Sequence, residues 1–131
     1  MPHIIIEYSE NIEKKIDIFN LVERIHESAI ATGIFTIGGL RVRAAKRDHY
    51  KIGDGHSDNG FVHVELKIGP GRDKKAKITA LERIFETVED CLGTLHKSGP
   101  LAMSAELNEF DEDLRINKNN IHKYIKERGI A

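Results

Sequence analysis

The chain reads as an α+β, two-layer protein in which two tandem β-α-β units form a four-stranded sheet with two helices on one face. Three observations lead there. The order strand, helix, strand occurs twice; Val62-His63-Val64 follows Pro2-His3-Ile4 at an offset of about sixty residues; and a helical crossover between strands of one sheet implies parallel pairing within each unit. With 131 residues, 40% hydrophobic and 31% charged, the chain suits one compact core. A single domain over 1–131 is expected, with pseudo-repeat units at about 1–60 and 61–110 and a tail over 111–131.

The first strand is Pro2 to Tyr8. Its isoleucine run is what a strand buried on both faces looks like, and proline is tolerated at a strand's first residue because no ladder donor is lost there. Ser9-Glu10-Asn11 supplies capping side chains for a helix whose apolar positions are Ile18, Leu21, Val22, Ile25 and Ala29. Thr32-Gly33 ends it, glycine taking the left-handed cap at no steric cost. Ile34 to Ala45 is expected to be extended, and Lys46 to Gly60, with Asp54-Gly55 as its turn signal, to be a hairpin or a connecting loop.

Phe61 to Ile68 begins the second unit. Gly69-Pro70-Gly71 breaks that strand, and Asp73 caps a helix with an apolar face of Ile78, Leu81, Phe85, Val88, Leu92 and Leu95. Gly99-Pro100 stops the helix, and Leu101 to Phe110 returns as the fourth strand. In the tail, Arg115-Ile116-Asn117 suits an edge strand, and Asn120 caps a short helix with Ile121, Tyr124 and Ile125. Helices on one face leave the other face of the sheet to be covered, which points to self-association.

Composition excludes several classes of partner. Twenty basic residues against 21 acidic ones give a net charge of -1, so no global field draws the protein to nucleic acid or to an anionic membrane. Cys91 is the only cysteine, which rules out an intramolecular disulfide and suits the reducing cytoplasm. No signal-peptide pattern or membrane-length apolar run is present. His49, His56 and His63 recur at sevens but lack the short ligand pairs of a zinc site, so no metal is expected.

Met1-Pro2 carries the chemical reading. If methionine is removed, Pro2 gains a secondary amine able to act as a catalytic base; while Met1 stays attached, that nitrogen is a delocalised amide without basicity. The segments Met1 to Glu7, Ala31-Thr32-Gly33-Ile34-Phe35, Gly39-Leu40-Arg41-Val42-Arg43, Asp54 to His63, Leu66 to Arg72 and Asn117 to His122, in that order and spacing, resemble the 5-carboxymethyl-2-hydroxymuconate isomerases of the tautomerase superfamily. The resemblance covers nearly the whole chain. It implies a tautomerase-like homotrimer without cofactor, ketonising a hydroxylated unsaturated tricarboxylate in homoprotocatechuate breakdown. The family's catalytic proline falls on Pro2 and its substrate-binding arginines on Arg41 and Arg72. Val62 stands in the second unit where Pro2 stands in the first, so one site per subunit is expected.

The residue types fit that chemistry. An α-amino group titrates near 7.7 to 8.0, roughly, and burial or a neighbouring arginine lowers it further into the working range. Arginine forks hold carboxylates in bidentate pairs that lysine cannot reproduce. Arg43 is expected to ion-pair with Glu65 or Glu106, and His3 to serve packing or an interface. Two alternatives to the isomerase are a general keto-enol tautomerase of smaller 2-keto acids and a non-catalytic trimeric binding protein.

Overall fold

The computed structural model describes residues 1–129, so the last two residues of the expected tail lie outside the described residues. Four strands form one sheet: β1 (His3–Ser9), β2 (Arg41–Arg47), β3 (Gly60–Ile68) and β4 (Leu101–Glu109), in the order β2-β1-β3-β4. β1 pairs with β2 in parallel and β3 with β4 in parallel, while the two units meet antiparallel through β1 and β3. The registers obey the repeat. His3 lies opposite Lys67 and Glu7 opposite His63, so a shift of about sixty residues maps one pair onto the other.

Alternation along the strands decides what faces the helices. Ile4, Ile6 and Tyr8 of β1 and Val62, Val64, Leu66 and Ile68 of β3 are buried on one face. Against them pack α1 (Ile18–Ala31), through Leu21, Ile25 and Ala29, and α2 (Lys74–Ser98), through Ile84, Val88 and Leu92. His3, Ile5, Glu7, Arg43, Glu65 and Lys67 alternate onto the opposite, polar face.

Several local expectations are corrected. α1 starts under Asp17, whose carboxylate accepts from the Asn20 N–H at 3.1 Å, and Ser9-Glu10-Asn11 does not cap it. Ser9 is wholly buried because its hydroxyl accepts from the Phe61 N–H (2.9 Å) and donates to Asn11 (2.7 Å); the chain then makes a 3₁₀ turn over Glu10–Ile12. The segment expected to be extended from Ile34 is a series of turns up to Leu40, with Phe35 and Leu40 buried in the core. The strand runs instead from Arg41 to Arg47, as far as β1 offers partners. Residues 48–59 are a connecting loop and not a hairpin, since β1 stands between β2 and β3.

Gly33 ends α1 at φ 79°, as the sequence predicts. Asp73 caps α2, accepting from the Ala76 N–H at 2.8 Å. On α2, Ile78 is 45% exposed and does not belong to the buried face, which is Ala80, Ile84, Val88 and Leu92, with Leu81, Phe85 and Leu95 at its margin. The tail forms α3 (Ile121–Glu127), and no strand occurs at 115–117 among the described residues. Asn119, not Asn120, supplies the cap: its Oδ1 accepts from the Ile121 N–H (2.9 Å) while its Nδ2 donates to the Gly38 carbonyl (2.8 Å). The buried Gly38 lies under the His122 ring, which would have to turn away to admit a Cβ there. The tail therefore crosses the ends of the strands from β4 toward β2, where no ladder can form.

Ile84→Ala should cost about 2–5 kcal/mol in urea unfolding at one protein concentration, and Ile78→Ala no more than about 0.5 kcal/mol. The reverse order would overturn the assigned face of α2.

Candidate active site

The start of β1, the start of β2 and the end of β3 meet at one end of the sheet, and the tail passes over them. A cavity of about 370 Å³ lies there, walled by Met1, His3, Arg41, Lys67, Phe110 and Arg115 together with residues 116–118 of the tail. Pro2 is half-buried beside it, and its carbonyl accepts from the Arg41 N–H at 3.4 Å, which opens the β1–β2 ladder. The loop before β2 lies against Pro2: a Cβ on Gly39 would be in ordinary contact with the Pro2 ring at 3.6 Å and tight only against Thr36 Oγ1 at 3.2 Å.

Arg41 is brought to the cavity by β2 and is half-buried. Its Nη2 lies 2.9 Å from His3 Nε2, and Arg43 Nη1 lies 3.1 Å from His3 Nδ1. Both ring nitrogens of His3 thus face guanidinium groups, yet a neutral imidazole has only one acceptor. One of the two contacts is therefore not a hydrogen bond, and the cluster is short of acceptors. Arg41 Nε is buried and unpartnered as well. Burial first, then Arg41 and Arg43, push His3 down to about 4, so it is neutral at pH 7.

One expectation is corrected: Arg43 turns to His3 and not to an acid, since Glu65 accepts from Asn108 and Glu106 contacts His63. His3, expected to serve packing or an interface, packs edge-on to Phe110 with ring centroids 6.4 Å apart and also lines the cavity. Arg72 does not line the cavity. It precedes α2 in an exposed loop, where Nη2 donates to the Ile34 carbonyl at 2.5 Å. Its charge still reaches the N-terminal amine, which is held below its ordinary value by burial first, then by Arg115 and Arg41, with Glu112 opposing and Arg72 adding a smaller push.

A model of the 5-carboxymethyl-2-hydroxymuconate isomerase family matches residues 2–125. The chain belongs to that family. A curated 5-carboxymethyl-2-hydroxymuconate Delta-isomerase of Escherichia coli is 36% identical over 126 residues, which cover 96% of this chain and 100% of that one. The solved structure of a 5-carboxymethyl-2-hydroxymuconate isomerase from Deinococcus radiodurans R1 superimposes with a TM-score of 0.88 at 32% identity, covering 94% of this chain and 92% of that one. A second solved 5-carboxymethyl-2-hydroxymuconate delta-isomerase gives the same TM-score at 25% identity, over 95% and 93% of the two chains. Membership makes the chain an enzyme of the isomerase class with the tautomerase-like fold that the sequence predicts.

The family's sequence pattern pointed to Arg41 at the cavity but gave no sign of Arg115, Lys67 or Phe110. A cation without an acid at the usual pairing distances was the available signal, and it is legible only once the register is known. A wider surface groove of about 480 Å³ between α2 and β4 is a poorer candidate, because Glu82, Glu86 and Glu89 line it and would repel a carboxylate. Among the described residues no cluster of His, Cys, Asp or Glu could hold a metal ion, and no helix is long and apolar enough to cross a membrane.

His3 sets a pH dependence. Its value falls from the ordinary 6.5 in the unfolded chain to about 4 in the fold, so the unfolded chain binds the extra proton between those values. The stability tied to its neutral form is complete above about pH 6.5 and is lost as pH falls toward 4. The urea midpoint should drop over that window in the native chain and drop less in His3→Gln. Equal slopes for the two would show that His3 is not the titrating group.

Proposed function

We propose that the chain ketonises 5-carboxymethyl-2-hydroxymuconate, a dienol, with the amine of Pro2 as general acid and base after removal of Met1. The reading rests on one observation above the others: the N-terminal amine sits at a cavity whose charged side chains, Arg41, Lys67, Arg115 and Lys118, are all cations without carboxylate partners among the described residues. In the full-length chain that amine belongs to Met1. Removing Met1 moves it inward by one residue, to a proline already fixed by the bond between its carbonyl and Arg41.

The enol proton would go to the free amine and return to a distant carbon of the conjugated chain, leaving the enone. Such transfer works best when the base has a value near the working pH, and burial with Arg41 and Arg115 nearby lowers the amine toward it. Arg41 and Arg72 would bind carboxylates; Arg72 uses one of its five donors on Ile34 and keeps the rest for an anion. The same guanidinium groups would stabilise negative charge as it develops on the oxygen that becomes the carbonyl. Neutral His3 would fix the Arg41 fork without adding another positive charge beside the base.

The same proposal includes a homotrimer acting in the cytoplasm, in homoprotocatechuate breakdown. Support for self-association is the tail, which leaves Leu114, Ile116, Ile121 and Tyr124 largely in solvent. Free Cys91 agrees with a reducing compartment.

Protein whose intact mass lacks methionine should convert the dienol, and Pro2→Ala should lower kcat/KM by about 10² or more, the typical contribution of a positioned base. The kcat/KM profile should fall as the amine gains its proton, with a midpoint below that of an N-terminal proline in an unfolded peptide, because burial, Arg115 and Arg41 surround the terminus. Processed protein that turns over neither this dienol nor smaller 2-keto acids would refute catalysis. Sedimentation equilibrium should give three times the chain mass, and Leu114→Asp should shift it toward one; an unchanged mass would remove the tail from the contact.

A further inference from the structure

The cavity carries more positive charge than two carboxylates require. Arg41, Lys67 and Arg115 all line it, and among the described residues none of the three has a carboxylate within 4.0 Å. Arg115 is half-buried, and its guanidinium carbon stands 4.5 Å from the centroid of the Phe110 ring. A cation held over an aromatic face has its position fixed while its N–H edges stay available to an acceptor. Arg41 is the second cation in the cavity to need one, since its Nε is buried without a partner and His3 cannot satisfy both neighbouring guanidinium groups.

We infer that Arg115 is a specificity-determining residue that binds the extra carboxylate by which a tricarboxylate substrate differs from a dicarboxylate. The inference rests on the isomerase reading and goes further, because that reading assigns only Arg41 and Arg72 to carboxylates, and of those two only Arg41 lines this cavity. The tail is what delivers this third site. Crossing the strand ends from β4 toward the Gly38 carbonyl, it adds Arg115 and residues 116–118 to the walls that His3, Arg41 and Lys67 of the two β-α-β units supply. Glu112, three residues earlier, is the acid whose charge opposes the cations at the N-terminal amine, and it is exposed. An anionic ligand therefore meets a net positive site.

The test compares wild type, Arg115→Met and Arg115→Lys on 5-carboxymethyl-2-hydroxymuconate and on 2-hydroxymuconate, the dienol without the carboxymethyl group. Arg115→Met should lower kcat/KM for the tricarboxylate about 10- to 100-fold, as for loss of a charge-assisted hydrogen bond, mainly through KM. That loss should exceed the loss on the dicarboxylate at least tenfold, and lysine should restore part of it. Equal losses on the two substrates, or none, would overturn the assignment. If wild type converts neither dienol, the isomerase reading fails by itself, and calorimetry with propane-1,2,3-tricarboxylate and glutarate decides on Arg115. A preferential loss of tricarboxylate affinity in Arg115→Met supports it; equal affinities, or no binding of either by wild type, overturn it.

Discussion

The structure depends on the position of β1 at the centre of the sheet. Chain termini ordinarily fray because few hydrogen bonds hold them. Here the first strand is paired on both sides, in parallel to β2 and antiparallel to β3, and its alternate residues Ile4, Ile6 and Tyr8 are buried. The N-terminus is consequently held at the end of the sheet, with a mobility closer to that of a core strand than of a tail. A terminal amine can serve as a positioned base only under that condition, since effective proton transfer needs the base within hydrogen-bond reach of the reacting atom.

The parallel register then sets the electrostatics. Pairing His3 with Arg41 and Ile5 with Arg43 puts two guanidinium groups and an imidazole on one face, and pairing His3 with Lys67 from the other side adds a third cation. In a chain of net charge -1 this is a local imbalance, invisible in the total. It carries a cost in the free protein, seen in the depressed value of His3 and the unpartnered Arg41 Nε. A polyanionic ligand would offset that imbalance of charge, which therefore favours anion binding at this end of the sheet.

Much of this was legible in the sequence and some was not, for physical reasons. Period-two and period-3.6 patterns gave four strands and two long helices because burial dictates them. The family pattern pointed to Pro2, Arg41 and Arg72; β1 and β2 set Pro2 and Arg41 at the cavity, and Arg72 lies outside it. Ser9 and Asn11 do not cap α1, and Asn119 takes the capping place expected of Asn120, because their side chains answer to distant backbone groups, at Phe61, at Ser57 and Asn59, and at Gly38, and no local rule sees those partners. Ile78 fits a helical apolar face, but the buried residues of α2 follow one another at intervals of four, Ala80, Ile84, Val88 and Leu92, and leave Ile78 exposed beside them. Arg115 escaped because the tail's path, not its composition, brings it to the cavity.

The internal repeat sharpens the case for one site per subunit. The relation that carries β1 onto β3 carries His3 onto His63, Arg41 onto Ser104 and Arg43 onto Glu106. The backbone arrangement is shared, and the charges are not. His3 stands between two guanidinium groups, whereas His63 Nδ1 lies 2.6 Å from Ser104 Oγ and its Nε2 3.0 Å from Glu106, whose carboxyl that contact pulls below its usual range. The second position has satisfied polar partners, an internal Val62 in place of a terminal amine, and a carboxylate that would repel an anion. Duplication accounts for the sheet, and the divergence of three residues on its polar face sets guanidinium groups beside His3 where the matching position has Ser104 and Glu106 beside His63.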